Sequence, residues 1–186
     1  MPRRYKNAKF AWALTGSGHD LKECLDFLIE LTDVDVFLSK AVEEVLVMYK
    51  YIDRLRDAKI RLFHDSTASA VPVGQFYEGN YHTLVVAPAT SNTVAKCVAG
   101  ISDTLVTNVF AQAGKCRIPI IVYACDTEPI VITPAPGKMV TVYPREVDLE
   151  CARKIGEFEN TTSTTDLKDL QHAVLHRVEC LTESYS

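Results

Sequence analysis

Nearly continuous apolar runs alternate with amphipathic stretches along most of this chain. The runs "KFAWALT" (9–15), "VDVFLS" (34–39), "HTLVVAP" (82–88) and "IPIIVYA" (118–124) carry few polar residues. Strands of this kind are buried on both faces, as in a parallel sheet covered by helices on either side. Between them, "DLKECLDFLIEL" (20–31) places Leu21, Cys24, Leu25 and Leu28 on one helical face, and "AVEEVLVMYKYIDRL" (41–55) reads as one second helix. Asp20 with Glu23 three positions later forms the pattern of a capping box. "KIRLFHD" (59–65) is a candidate third strand. Residues 69–81, with breakers Pro72, Gly74 and Gly79, are expected to be irregular. Helical pattern returns over 93–100 and 103–114.

After the fourth long run the signal weakens. "DTEPIVITPAPGKMVTVYP" (126–144) reads as a loop or hairpin, followed by a helix near 148–157 and a polar bridge "NTTSTTD" (160–166). A last helix carries Leu167, Leu170, Val174, Val178 and Leu181 as its apolar stripe. No internal repeat and no dividing linker occurs, so residues 1–186 are expected to form a single domain.

Composition narrows the class. An apolar fraction of 47% with 24% charged residues suits a globular protein with a real core. A formal charge of −4 offers no basic footprint for nucleic acid, and Arg3, Arg4 and Lys6 form only a short basic arm. No apolar stretch approaches the ~20 residues needed to span a bilayer. The apolar run after the basic start ends at once in "TGSGHD", unlike a signal peptide, so a cytoplasmic location is expected. Cysteines 24, 97, 116, 125, 151 and 180 form no C-x-x-C pair and no zinc spacing; they are expected to be reduced thiols, several in the core.

On a parallel sheet, ligands bind beyond the carboxyl ends of the strands, which places candidate sites at 15–19, 39–40, 88–93 and 124–128. "TGSGHD" opens the first helix with glycines that admit a phosphate, but it lacks the third glycine of the dinucleotide fingerprint. Ser39 and Lys40, rather than an acidic residue, end the second strand. The hydroxyls of Ser17, Ser39 and the run Thr90, Ser91, Asn92, Thr93 could converge on one phosphate. Each also has a local reading as a helix cap: Asp20, Ser39, and Ser91 or Asn92 for the third helix. A cap needs one polar residue, and four in succession favour a ligand. Asp103 in "GISDTLVTN" fits a cap or a heterocycle contact. His19, His64 and His82 have no partner at a catalytic spacing, and no nucleophile-elbow, zinc-helix or P-loop pattern occurs. A bound cofactor is the economical carrier of any chemistry, with no metal implied.

The segment "VVAPATSNTVAKCVAGISDTLVTN" (85–108) resembles the P-A-(S/T)-x-N-T … G-(I/M)-(S/A)-D-x-L signature of the homo-oligomeric flavoproteins. That family includes cysteine decarboxylases, flavin prenyltransferases, archaeoflavoproteins and dihydromethanopterin reductases. The match is specific over 83–108 and compatible in order over roughly 9–125. The resemblance implies a three-layer α/β, flavodoxin/Rossmann-like parallel sheet with FMN at its carboxyl edge. It also implies roles by position. Gly16, Ser17, Gly18 and Ser39 would surround the phosphate, and Pro88, Ala89, Thr90, Asn92 and Thr93 would line the ribityl chain and ring. Ser102, Asp103, Thr104 and Leu105 would sit against the flavin edge. In such proteins the site lies between subunits, and homo-oligomers are built on trimers.

Two departures separate this chain from the decarboxylases. They place a histidine ahead of the corresponding strand, where this chain has Gly74, and a P-x-M-N motif later, where it reads "YACDTEPI". The "WALTGSG" start, the "LSK" strand end and "APATSNTVAK" are instead similar to the archaeoflavoprotein and dihydromethanopterin reductase branch. The expected activity is therefore FMN-dependent reduction of a pterin, 7,8-dihydromethanopterin, with a reduced nicotinamide or a redox protein as electron donor. The alternatives are an FMN electron carrier without a small substrate, a lyase or prenyltransferase, and a regulatory binding subunit.

Overall fold

The computed structural model describes residues 8–65 and 70–183; the basic arm at Arg3, Arg4 and Lys6 lies outside them. Six parallel strands form one sheet: β1 (Lys9–Leu14), β2 (Val34–Leu38), β3 (Arg61–His64), β4 (Tyr81–Ala89), β5 (Ile120–Ala124) and β8 (Thr161–Thr164). Their spatial order is β3-β2-β1-β4-β5-β8, so the winding reverses between β1 and β4. Two further strands, β6 (Val131–Ala135) and β7 (Lys138–Val142), pair antiparallel as a separate hairpin.

The period-2 alternation of each strand divides the core in two. Phe10, Trp12 and Leu14 of β1 face one side with Val85, Ala87, Ile121 and Tyr123. There they meet α1 (Leu21–Glu30), α2 (Lys40–Met48), α3 (Ile52–Asp57) and α8 (Leu167–Glu183). Ala11 and Ala13 face the other side with Leu84, Val86 and Val122, against α4 (Ala70–Gly74), α5 (Ser91–Val98), α6 (Leu105–Lys115) and α7 (Glu146–Ile155). The fold is a three-layer α/β sandwich, as the apolar runs predict.

Several local expectations are corrected. The segment 41–55 is two helices, because Lys50 adopts a left-handed φ of 59°. Tyr51 N–H bonds Leu46 C=O and Lys50 N–H bonds Val47 C=O, the Schellman pattern that ends a helix. The irregular segment contains α4, with Pro72 in its first turn where a missing N–H is harmless. The polar bridge is a strand: β8 pairs with β5 from Ile120↔Thr161 to Tyr123↔Thr164. Threonine's branched Cβ suits a strand, and an edge position does not demand an apolar run. The capping box at Asp20 is absent. Asp20 sits in left-handed conformation at φ 48° without a side-chain cap bond, and its carboxylate is taken by the Tyr123 hydroxyl at 2.5 Å.

Among the described residues no helix is long and apolar enough to cross a membrane, and no group of three or more His, Cys, Asp or Glu could hold a metal ion.

Candidate functional site

At the reversal point, the chain leaving β1 and the chain leaving β4 are tied by one side chain. Thr15 is 1% exposed. Its hydroxyl donates to Pro88 C=O at 2.7 Å and accepts from Thr90 N–H at 2.9 Å. The Ala87–Pro88 peptide is cis, and the Trp12 indole N–H donates to Ala87 C=O at 2.7 Å. These bonds hold the Gly16–His19 turn beside the start of α5.

Between them lies a cavity of about 390 Å³, within the usual size range for small-molecule sites. Its floor is Gly16, Ser17, Gly18, His19, Thr90, Ser91 and Asn92, with Cys125 and Asp126 from the end of β5. Its roof is the hairpin: Val131, Thr133, Pro134 and Val142, continued by Tyr143 and Pro144. Both glycines are required by close packing. A Cβ on Gly16 would fall 2.7 Å from Ala41 Cβ, and one on Gly18 would fall 2.9 Å from Pro134 O and 3.1 Å from the Tyr49 hydroxyl.

Among the described residues this wall carries no lysine or arginine. Thr90 is the N-cap of α5, accepting from Thr93 N–H, so Ser91 and Asn92 occupy its first turn, where backbone N–H groups lack helical partners. The cap is therefore Thr90, not Ser91 or Asn92. Ser91 instead donates to the Asp126 carboxylate, while Asn92 is exposed on the cavity wall. Ser17 accepts from His19 N–H at 3.0 Å and from the Cys125 thiol at 3.3 Å. His19 Nδ1 is buried without a hydrogen-bond partner, and its Nε2 stands 3.6 Å from Asp20. Burial pushes the Cys125 thiol up to about 12. Burial and the Asp20 carboxylate raise the Tyr123 phenol as well.

The residues proposed from sequence thus fall into three groups. Gly16, Ser17, Gly18, Thr90 and Asn92 line the cavity. Pro88, Ala89 and Thr93 lie just behind it. Pro88 offers its carbonyl to Thr15, Ala89 is buried and accepts from Cys125 N–H, and the Thr93 hydroxyl meets that of Thr90 at 3.1 Å. Ser39, Ser102, Asp103, Thr104 and Leu105 do not line it. Ser39 caps α2 through Val42 N–H at 3.2 Å. Ser102 lines a second cavity of about 390 Å³ with Phe110 and Phe158. Asp103 pairs with Lys96 at 2.8 Å, and the lysine holds its carboxyl below the usual range. The cap of α6 is Thr104, not Asp103, in a reciprocal box with Thr107. Leu105 N–H bonds Asp65 at 3.0 Å.

Thr15, Cys125, Asp126 and the whole hairpin roof were not singled out from sequence. Cys125 and Asp126 fall within the 124–128 strand end flagged as a candidate region, but the hairpin carries no local motif.

The chain is similar in sequence and structure to DmrB of Burkholderia xenovorans, whose crystal structure in complex with FMN is described as a cubic protein cage for redox transfer. Identity is 51% and the TM-score 0.88, covering 95% of this chain and 98% of that one. An uncharacterised protein of Methanocaldococcus jannaschii is 36% identical over 179 residues, 92% of this chain and 96% of its own. A dihydromethanopterin reductase (acceptor) of Methanosarcina mazei is 38% identical over 141 residues, 69% of this chain but only 59% of the reductase. This chain therefore matches less than two thirds of that relative's length. The Flavoprotein family model matches residues 1–178. The first half of the 85–108 signature, at Thr90–Asn92, lines the reversal-point cavity, and with the family model matching nearly the whole chain, the chain belongs to the Flavoprotein family.

Proposed function

We propose that this protein is an FMN-dependent oxidoreductase that reduces 7,8-dihydromethanopterin to the tetrahydro form. In this reading it acts as a single flavoprotein domain within a homo-oligomer built on trimers. The observation that carries the proposal is the reversal-point cavity, where the Gly16–His19 turn and the first turn of α5 face one space under the hairpin. The relatives support it: DmrB was solved with FMN, and the Methanosarcina protein is a dihydromethanopterin reductase.

The residues present fit the cofactor. The space is of ligand size, and the glycine turn before α1 with the Ser17 hydroxyl suits a phosphate. His19 Nδ1 is a buried polar atom still lacking a partner. Gly16, Ser17 and Gly18 would hold the phosphate, and Thr90 and Asn92 the ribityl chain and ring, with Pro88, Ala89 and Thr93 supporting them from behind. Ser102, Asp103, Thr104 and Leu105 belong to the site in this reading only across a subunit boundary. Bound FMN supplies hydride chemistry. The chain's own part is to bind, to orient through the Thr15 clamp, and to exclude water with the hairpin roof. An electron donor, a reduced nicotinamide or a redox protein, would recharge the cofactor.

A second reading, an FMN electron carrier without a small substrate, is favoured by the redox-transfer cage described for the 51% identical DmrB. The test is direct. Purified protein should show flavin absorption bands and release FMN on denaturation. After anaerobic reduction it should reoxidise on adding dihydropterin. Reoxidation by a redox protein but not by dihydropterin would select the carrier reading, and a colourless protein that takes up no FMN would refute both.

A further inference from the structure

We propose that Cys125 makes this site selective for a phosphorylated flavin, by fixing the direction in which Ser17 donates its one hydroxyl proton. The inference rests on the FMN reading above and deepens it. A serine hydroxyl has one proton to give and two lone pairs to fill. At Ser17 both lone pairs are occupied, by His19 N–H at 3.0 Å and by the Cys125 thiol at 3.3 Å. Its own proton is thereby directed away from both donors, on a side chain that lines the cavity.

Cys125 is well placed to hold that arrangement. It directly follows β5, is 6% exposed, and its N–H is fastened to Ala89 C=O at 3.0 Å. Burial keeps it a thiol, with its pKa pushed up to about 12. A thiolate would accept from Ser17 and turn the hydroxyl proton inward. Among the described residues of the wall none is Lys or Arg, and Asp126 is the one carboxylate. Beside the His19 ring and the backbone amides of the turn, Ser17 O–H is a donor on this wall whose direction a neighbour sets. Cys125 is a positioning residue and touches the ligand only through Ser17.

The test compares FMN with riboflavin, which has the same ring and ribityl chain and no phosphate. Dissociation constants are read by flavin fluorescence on the full chain freed of flavin and reconstituted. Ser17→Ala should weaken FMN about 10- to 100-fold, the worth of a hydrogen bond to a charged group, and leave riboflavin unchanged. Cys125→Ala should weaken FMN about 3- to 10-fold, again sparing riboflavin. Cys125→Ser, which keeps a donor, should restore FMN binding. Cys125→Ala should have no further effect once Ser17 is alanine, because the two act in series. Equal loss of both flavins in Cys125→Ala would show a packing role and overturn the proposal, as would an unchanged preference. Failure of the unaltered protein to bind either flavin would sink the FMN reading itself and this proposal with it.

Discussion

Replacing Thr15 by valine removes one hydroxyl from the point where β1 and β4 diverge and changes little else in shape. The hydroxyl is buried and makes two bonds, to Pro88 C=O at 2.7 Å and from Thr90 N–H at 2.9 Å. Valine leaves both backbone groups without that partner. An unpaired buried polar group costs about 1–3 kcal/mol. The Thr90 amide stands at the cavity rim and can recover part of this from water, so the total falls at roughly 2–4 kcal/mol. For a chain of 186 residues, a loss of 1 kcal/mol lowers Tm by about 2–4 °C, so the expected drop is about 5–15 °C. Thermal unfolding should be followed by circular dichroism at one fixed protein concentration without flavin, since ligand and assembly both shift Tm. Thr15→Ser is the control, because it keeps the hydroxyl and loses only a methyl, worth about 1 kcal/mol. A Thr15→Val protein that melts within about 1 °C of the parent would refute the clamp. A serine variant as unstable as the valine one would also count against the clamp, because serine keeps the hydroxyl that valine lacks.

Two further outcomes are expected. Gly18→Ala places a Cβ 2.9 Å from Pro134 O and must displace the hairpin roof; stability should fall by only about 1 kcal/mol while FMN binding weakens about tenfold, and unchanged flavin affinity would count against the roof. His82 is 6% exposed, and burial, with the Arg177 charge adding to it, pushes its imidazole down to about 4. The unfolded chain takes up that proton first, so this contribution is complete above about pH 6.5 and is lost as pH falls towards 4, about 2 kcal/mol of it by pH 5. Urea unfolding of His82→Gln should show a flatter stability profile between about pH 7 and pH 5, and an unchanged profile would remove His82 as the cause.

The amino-acid sequence by itself determined the layered parallel sheet and the location of half the site. Apolar runs at β1, β2, β4 and β5 and the stripes of α1 and α8 are periodic features, visible without knowing any partner. The "TGSGHD" and "PATSNT" turns were legible for the same reason, since glycine and capping chemistry act over a few residues. Tertiary structure decided everything that depends on a distant partner. Asp20 has the sequence of a cap, yet Tyr123, 103 positions away, takes its carboxylate. Thr15 looks like the last residue of a strand until Pro88 and Thr90 come within reach of its hydroxyl. β8 is polar enough to pass for a bridge, and only pairing with β5 makes it a strand. The roof over the cavity comes from a segment with prolines and no site motif, paired with itself as the β6–β7 hairpin. Local periodicity encodes which face is buried; which polar group meets which is set by strand order and register, and these exist only in the folded chain.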